Sequence, residues 1–337
     1  MTLYAVDDID DALDATRALL TPFDLGRWAR LAFVVFFLGG TGAFNPFQFG
    51  GNTSPGGTPG DTPSDPGQFP SPSEIVNAIS PTEWAIIGAV VAVALLIGLA
   101  FAFVGAVMEF VFVESLRRER VSIREYWRGH WRRGARLLGF RLVLGLLSFG
   151  ATVGLLLWAF WPVLFGDGGL SLALLGVAFT VVAVLAVVSG LLNGFTTQFV
   201  VPVMIADDRT VLGGWRAFWP TLTGQWKQYL VYLVLRFVLA IAVAVVVGIA
   251  TGIAALVLAI PFGILAIVGV ALLTASPIVG WAVVTIALAA FLLTLFVLSL
   301  FVAVPVQTYL RYYALLVLGD TNESFDLVAE RRRTIRS

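Results

Sequence analysis

Length, composition and charge bound the class of this protein. The chain has 337 residues, of which 59% are hydrophobic and 12% are charged, and its mean hydropathy is +0.93. Soluble domains average about 45–50% apolar and about 25% charged residues, so this composition excludes a soluble globular protein and a disordered one. The chain has 21 basic and 21 acidic residues, and this equal balance gives no reason to expect a nucleic-acid partner.

Chemistry that needs thiols or several imidazoles is excluded as well. Cysteine is absent, and the one histidine is His130. Disulfides, thiolate metal sites and cysteine nucleophiles therefore cannot form, and zinc sites or histidine-based catalysis usually need more than one imidazole. The chain also lacks phosphate-binding, zinc-helix and nucleophile-elbow motifs. We expect a protein that is not an enzyme and has no catalytic, metal or cofactor-binding site.

Apolar segments predict an all-α transmembrane bundle. A helix needs about 20 predominantly apolar residues to cross a membrane. The sequence predicts six such spans in a single membrane domain covering 1–337, at residues 28–44, 83–113, 137–162, 169–205, 229–258 and 277–318. The residues between the last two spans, 259–276, carry one proline and two glycines, and we expect a bent or re-entrant piece there.

Basic residues predict the orientation of these spans. Lys and Arg are absent from 45–82, 163–168 and 259–276, and they cluster in or beside the other connections. Because basic residues accumulate on the cytoplasmic side, we expect a multi-pass protein of the cell membrane with both termini in the cytoplasm. Residues 1–27 then form a cytoplasmic amphipathic segment, with a stripe of Ile9, Leu13, Thr16 and Leu20, and residues 319–337 form a cytoplasmic tail.

The first predicted outer connection differs in composition from the rest of the chain. Residues 45–82 are rich in Gly and Pro and poor in aliphatic side chains. Such a segment buries too little apolar surface to offset its ordering entropy, so the sequence predicts a disordered outer loop. Asn52, followed by Thr53 and Ser54, fits an N-glycosylation acceptor in that loop.

A short pattern recurs ahead of the odd-numbered spans. Residues 127–131 read Trp-Arg-Gly-His-Trp, residues 215–219 read Trp-Arg-Ala-Phe-Trp, and residues 16–20 read Thr-Arg-Ala-Leu-Leu. The sequence thus predicts three repeats, each an amphipathic helix followed by a pair of spans. Helices with Trp and Arg at helical spacing lie in membrane interfaces, and the candidate lipid-interface residues are Trp127, Arg128, Trp131, Trp215, Arg216 and Trp219. These helices either anchor the bundle or bind a specific lipid or a membrane-protein partner.

The chain resembles an uncharacterised family of haloarchaeal membrane proteins. The opening segment, Tyr4 to Arg17, the tryptophan Trp28 and the run from Phe33 to Gly40 carry this resemblance. It implies a six-span membrane protein and no known activity. More remotely, the alternation of amphipathic helices and span pairs is similar to the membrane domains of some glycerophosphodiester phosphodiesterases. That likeness covers no catalytic domain, so it implies no catalytic residues.

Polar residues within predicted spans are the remaining functional candidates. They are Glu109, Arg141, Asn193, Gln198, Arg236 and Gln307, with Thr196 and Thr197, all in the predicted cytoplasmic halves of their spans. Such residues are costly in a membrane and mark function by default. They form either a polar vestibule open to the cytoplasm, in which Glu109 neutralises Arg141, or a set of side chains that snorkel to the interface.

Three functions follow from these alternatives. The preferred hypothesis is a non-enzymatic scaffold, assembly factor or lipid-interacting factor, whose partners are membrane lipids and an unidentified membrane protein. The second is a transporter or channel for an unidentified solute, because interrupted helices and repeats are typical of transporters. The third, an enzyme acting on lipid headgroups, lacks the converging carboxylates or histidines that it requires.

Overall fold

The computed structural model describes residues 4–39, 80–165 and 171–336. Within these residues the chain forms helices and connecting turns and no strand, which confirms the all-α class. The helices, numbered in chain order, are α1 (Tyr4–Leu20), α2 (Leu25–Phe37), α3 (Pro81–Arg117), α4 (Ile123–Phe165), α5 (Leu172–Ala206, with a π-helical turn at Thr196–Val200), α6 (Val211–Gly224), α7 (Trp226–Leu272), α8 (Pro277–Thr321) and α9 (Ala329–Arg336). Most of the predicted outer loop, including Asn52, lies outside the described residues.

Five of these helices are long and apolar enough to cross a membrane, namely α3, α4, α5, α7 and α8. The chain is therefore a membrane protein with a helical bundle, but the prediction of six spanning helices is wrong for the described residues. The last two predicted spans are confirmed as two separate helices, joined by a short turn.

The first predicted span, 28–44, is the one that fails. Its helix, α2, has 13 residues and a length of about 20 Å, which is short of a bilayer of about 30 Å. The ring of Phe37 lies 4.9 Å from that of Phe101 on α3. Along the axis of α3, Phe101 lies about 30 Å from Pro81, the residue at which α3 begins. Helix α2 thus ends well before the level at which α3 starts.

Most of the bent or re-entrant piece predicted at 259–276 is helical instead. Helix α7 runs without interruption to Leu272 and includes Pro261. In lipid each backbone polar group needs an internal partner, so a helix that contains proline is retained where water would favour a break. The turn is confined to Leu273–Ser276, and it closes with a hydrogen bond of 2.9 Å from the Ser276 amide to the Leu272 carbonyl.

Burial divides the bundle into two zones. Along α3 the residues from 81 to 102 are exposed, apart from half-buried Gly98, whereas every residue from 105 to 116 is buried. Helix α8 shows the same division, with all residues from 311 to 319 buried. We call the exposed apolar parts the arms and the buried end the basal core. The arms present the apolar surface that a lipid environment requires, and the basal core holds the polar residues.

Both termini pack onto the basal core. Arg336 of α9 donates to Asp8 at 2.8 Å and to Asp11 at 2.6 Å, both on α1, and to Asp320 of α8 at 2.8 Å. The Tyr313 hydroxyl of α8 donates to the Ala5 carbonyl at 2.7 Å. The first and last described helices therefore lie at the same end of the bundle.

The buried face of α1 agrees with the predicted stripe except at Leu13. Thr16 and Leu20 are buried and Ile9 packs against the core, whereas Leu13 is 40% exposed. The buried face also includes Ala5, Ala12 and Ala15, whose small side chains let α1 approach its neighbours closely. The amphipathic helix predicted ahead of the third span is not a separate helix. Its residues form the first turns of α4 without a break.

Candidate functional site

A buried ionic network joins three helices in the basal core. Glu109 on α3 lies between Arg141 of α4 and Arg311 of α8. One carboxylate oxygen, Oε1, accepts from Arg141 Nη2 at 3.3 Å, and the other, Oε2, accepts from Arg311 Nη2. The Glu109 and Arg311 side chains are each at most 5% exposed. Charges buried this deeply need partners, and each of these two supplies one for the other.

The π-helical turn of α5 completes the network. Arg311 Nη1 donates to the Thr197 carbonyl at 2.6 Å, and Arg141 Nη2 donates to the Thr197 hydroxyl at 2.7 Å. A π-turn displaces backbone bonds from the regular α-helical pattern, and here Thr197 offers both its carbonyl and its hydroxyl to cations. The neighbouring Thr196 hydroxyl accepts from the Trp215 indole at 3.0 Å, which ties α6 to the same turn.

A third arginine lies on the other side of the π-turn. Arg236 of α7 donates from Nη1 to the Tyr232 hydroxyl at 2.8 Å. With its amide oriented to satisfy both partners, Gln198 accepts from both terminal nitrogens of Arg236 at 3.1 Å. The sequence had indicated Gln198 and Arg236 separately as polar candidates. In the structure they are in direct contact.

The network carries more positive than negative charge. Among the described side chains that it joins, Arg141, Arg236 and Arg311 are cationic and Glu109 is the anion. The remaining acceptors are neutral hydroxyl, amide and carbonyl oxygens. An arrangement of this kind favours an additional anion close by, because guanidinium groups bind phosphate and carboxylate with charge-assisted hydrogen bonds.

Sequence reasoning missed Arg311, and it named Thr197 only as one of the polar residues within a span. Arg311 was grouped with the basic residues of the cytoplasmic end, although Tyr312, Tyr313 and a run of apolar residues follow it. That apolar continuation was the available signal that Arg311 is buried. No local pattern identifies a π-turn, so the double role of Thr197 was not predictable.

Aromatic rings fill the space between the helices at this level. The Phe199 ring lies 5.3 Å from Phe218, 5.2 Å from Tyr229 and 5.0 Å from Tyr232. Tyr232 in turn stacks on Tyr313 at 5.1 Å. All five side chains are at most 1% exposed. The inner part of the basal core is therefore packed with rings and hydrogen-bonded polar groups.

The predicted lipid-interface residues divide into two groups. Trp127 and Trp215 are half-buried and pack against the basal core, and Trp127 meets Phe103 edge-on at 6.0 Å. The exposed members are Trp131, Trp219, Arg128 and Arg216. Asn193, the last of the polar candidates, is exposed and lies outside the ionic network.

The described residues contain no group of three histidine, aspartate or glutamate side chains that could hold a metal ion.

Comparison with known proteins identifies one family. Residues 3–328 match DUF7544, a family of unknown function. No curated protein and no solved structure matches the chain. The haloarchaeal source and the likeness to phosphodiesterase membrane domains stay predictions.

Proposed function

The chain belongs to DUF7544, a family of unknown function, and from its geometry we propose a non-enzymatic membrane protein that acts as a scaffold, assembly factor or lipid-interacting factor. Its place is the cell membrane, with the basal core and both termini on the cytoplasmic side. Its partners are membrane lipids, and the exposed Trp131 and Trp219 are suited to the membrane interface.

The packed basal core carries this proposal. Glu109 bonds to Arg141 and Gln198 bonds to Arg236, and the rings around Phe199 occupy the space between helices. A solute pathway through the bundle needs polar groups that face a water-filled space. A bonded and ring-filled core favours a structural or lipid-binding role over solute passage.

Thiol labelling tests the proposal, since the chain has no cysteine of its own. Gln198→Cys and Thr196→Cys would be treated with a membrane-impermeant thiol reagent, in sealed vesicles of each orientation. We expect no labelling from either side and full labelling after denaturation. The exposed control Asp7→Cys should react in the native protein. Labelling of either buried position from the basal side would overturn the proposal.

A transporter is the second candidate, and the π-helical turn at Thr196–Val200 favours it. Such turns are frequent at functional sites. If this helix moves during transport, water reaches Gln198 in one state. The same experiment then gives labelling at Gln198→Cys, in contrast to the result expected for a packed core.

A further inference from the structure

A cleft opens between α4 and α5, directly beside the ionic network. It has a volume of about 300 Å³ and is lined by Arg141, Leu144, Gly145, Ser148, Ser189, Gly190 and Asn193. Arg141 and Ser148 are about 10 Å apart along the helix axis. The cleft thus extends from the basal core toward the arms, with its cation at the basal end.

Two glycines keep the cleft open. A Cβ built on Gly145 or on Gly190 would meet no atom within 4 Å beyond the adjoining residues and backbone of its own helix. The wall farther along the arms is formed by Ser148 and Ser189, whose hydroxyls are 2.6 Å apart. Larger side chains at the two glycine positions would fill the space, so glycine at these positions leaves room for a cleft with an arginine, an asparagine and two serines in its lining.

Arg141 has binding capacity that the protein does not use. Its hydrogen bonds to Glu109 and Thr197 both come from Nη2. Its Nε has no partner among the described residues but is buried, so an outside anion would meet the terminal nitrogens of this side chain, which is 26% exposed. An arginine that shares one carboxylate with another arginine, and that reaches a cleft, is suited to hold an outside anion.

We propose that this cleft binds the phosphate headgroup of an anionic membrane lipid, an inference that rests on the proposed lipid-interacting function. The phosphate lies at Arg141 and Asn193, and the lipid's ester oxygens face the serine hydroxyls. The flanks are exposed and apolar, as at Leu146 on α4 and Val187 on α5, and they accommodate acyl chains. This apolar surround is the reason to assign a lipid and not a soluble anion.

Lipid binding to the full-length protein tests the site. The protein, purified in a neutral detergent, would be titrated with dioleoylphosphatidylglycerol or dioleoylphosphatidylcholine and followed by native mass spectrometry. Gly190→Leu fills the cleft and leaves its charge intact, and we expect at least tenfold weaker binding of the first phosphatidylglycerol. Gly176→Leu is the matched control, because Gly176 lies on the same helix, has open space around it and is outside the cleft. It should bind like the wild type.

A second variant keeps the test valid if Gly190→Leu fails to fold. Arg141→Lys retains the charge and loses the planar fork, so phosphatidylglycerol binding should weaken severalfold while phosphatidylcholine binding stays unchanged. Equal binding by the wild type and both variants would overturn the inference. Displacement of the lipid by millimolar inorganic phosphate would also overturn it, since the site would then take free phosphate. Thiol labelling at Gln198 is a separate readout, so a failure here is distinguishable from a failure of the packed-core proposal.

Discussion

At the scale of single residues, Glu109 is the anion that Arg141 and Arg311 share. Glu109→Gln leaves two guanidinium groups in the basal core without a carboxylate, one of them with a side chain only 4% exposed. Removing one partner of a buried ion pair costs about 3–5 kcal/mol, and we expect a loss of that size in the free energy of unfolding. The measurement is equilibrium unfolding in mixed detergent micelles.

Glu125→Gln is the control for that prediction. The Glu125 side chain is 54% exposed, and its arginine partners are 3.9 Å away. Exposed pairs of this kind contribute about 0–1 kcal/mol. If Glu109→Gln unfolded at the same denaturant concentration as Glu125→Gln, the ionic network would have no role in stability.

Asp8 gives the stability of the basal core a dependence on pH. Burial, together with the negative charge of Asp320, raises the pKa of Asp8 to about 8, although Arg336 opposes the shift. The folded protein then retains a proton that the unfolded chain releases above about pH 4. Because the folded state binds more protons in this range, the contribution of Asp8 to stability falls as pH rises from about 4 to 8.

Asp8→Asn removes this titration. We expect its melting temperature to decline less steeply between pH 5 and pH 8 than that of the wild type, with thermal unfolding in detergent as the measurement. Asp7→Asn, an exposed neighbour on the same helix, should keep the wild-type slope. Parallel pH profiles for all three proteins would show that Asp8 is ionised in the folded state.

At the scale of elements, the contact between α3 and α4 depends on Gly134. A Cβ at this position would lie 2.8 Å from the Cα of Val107, which is backbone and cannot move aside. Gly134→Ala should therefore destabilise the protein by about 1–3 kcal/mol through overpacking. Gly139, on the same helix, has open space around it, and Gly139→Ala should stabilise by up to about 1 kcal/mol through helix propensity.

Chemical denaturation of the two alanine variants checks this contrast. Because both replacements add the same methyl group to the same helix, their difference reports the close approach of α3 and α4 alone. Stabilisation by both variants would contradict the observed packing.

The elements also show what sequence can and cannot predict in this chain. Hydropathy predicted α3, α4, α5, α7 and α8, because a lipid-facing helix must be apolar over its whole exposed length. It failed at 28–44, where an apolar run marks a short helix packed on Phe101 and Phe296. It failed at 259–276, because proline and glycine signal a break in water but not in lipid.

The candidate site was predictable in part. Charged residues inside apolar runs pointed to Glu109, Arg141 and Arg236, and their similar depth suggested that Glu109 meets Arg141. Contacts across helices depend on rotation about each helix axis, which a uniformly apolar sequence does not encode. The contacts of Thr197 and the cleft beside Asn193 were therefore found only in three dimensions.

At the scale of the whole molecule, α1 and α9 lie at one end and the α7–α8 turn at the other. Single cysteines at Asp7, Arg333 and Thr274 would report this arrangement with an impermeant thiol reagent. We expect Asp7→Cys and Arg333→Cys to react from the cytoplasmic side, where basic residues accumulate, and Thr274→Cys to react from the outer side. Reaction of the first two from opposite sides would contradict the packing of Arg336 on Asp8.

The hairpin of α7 and α8 has a consequence for biosynthesis. No charged residue lies between Arg236 and Arg311, and the Thr274 hydroxyl in the turn donates to the Ala271 carbonyl at 2.8 Å. A charged residue at the centre of an inserting helix costs about 2.5–3.5 kcal/mol, and this hairpin incurs no such cost. The two helices can leave the translocon together as a pair, with no hydrophilic loop to be carried across. This half of the bundle is thus able to enter the bilayer before the basal core assembles around it.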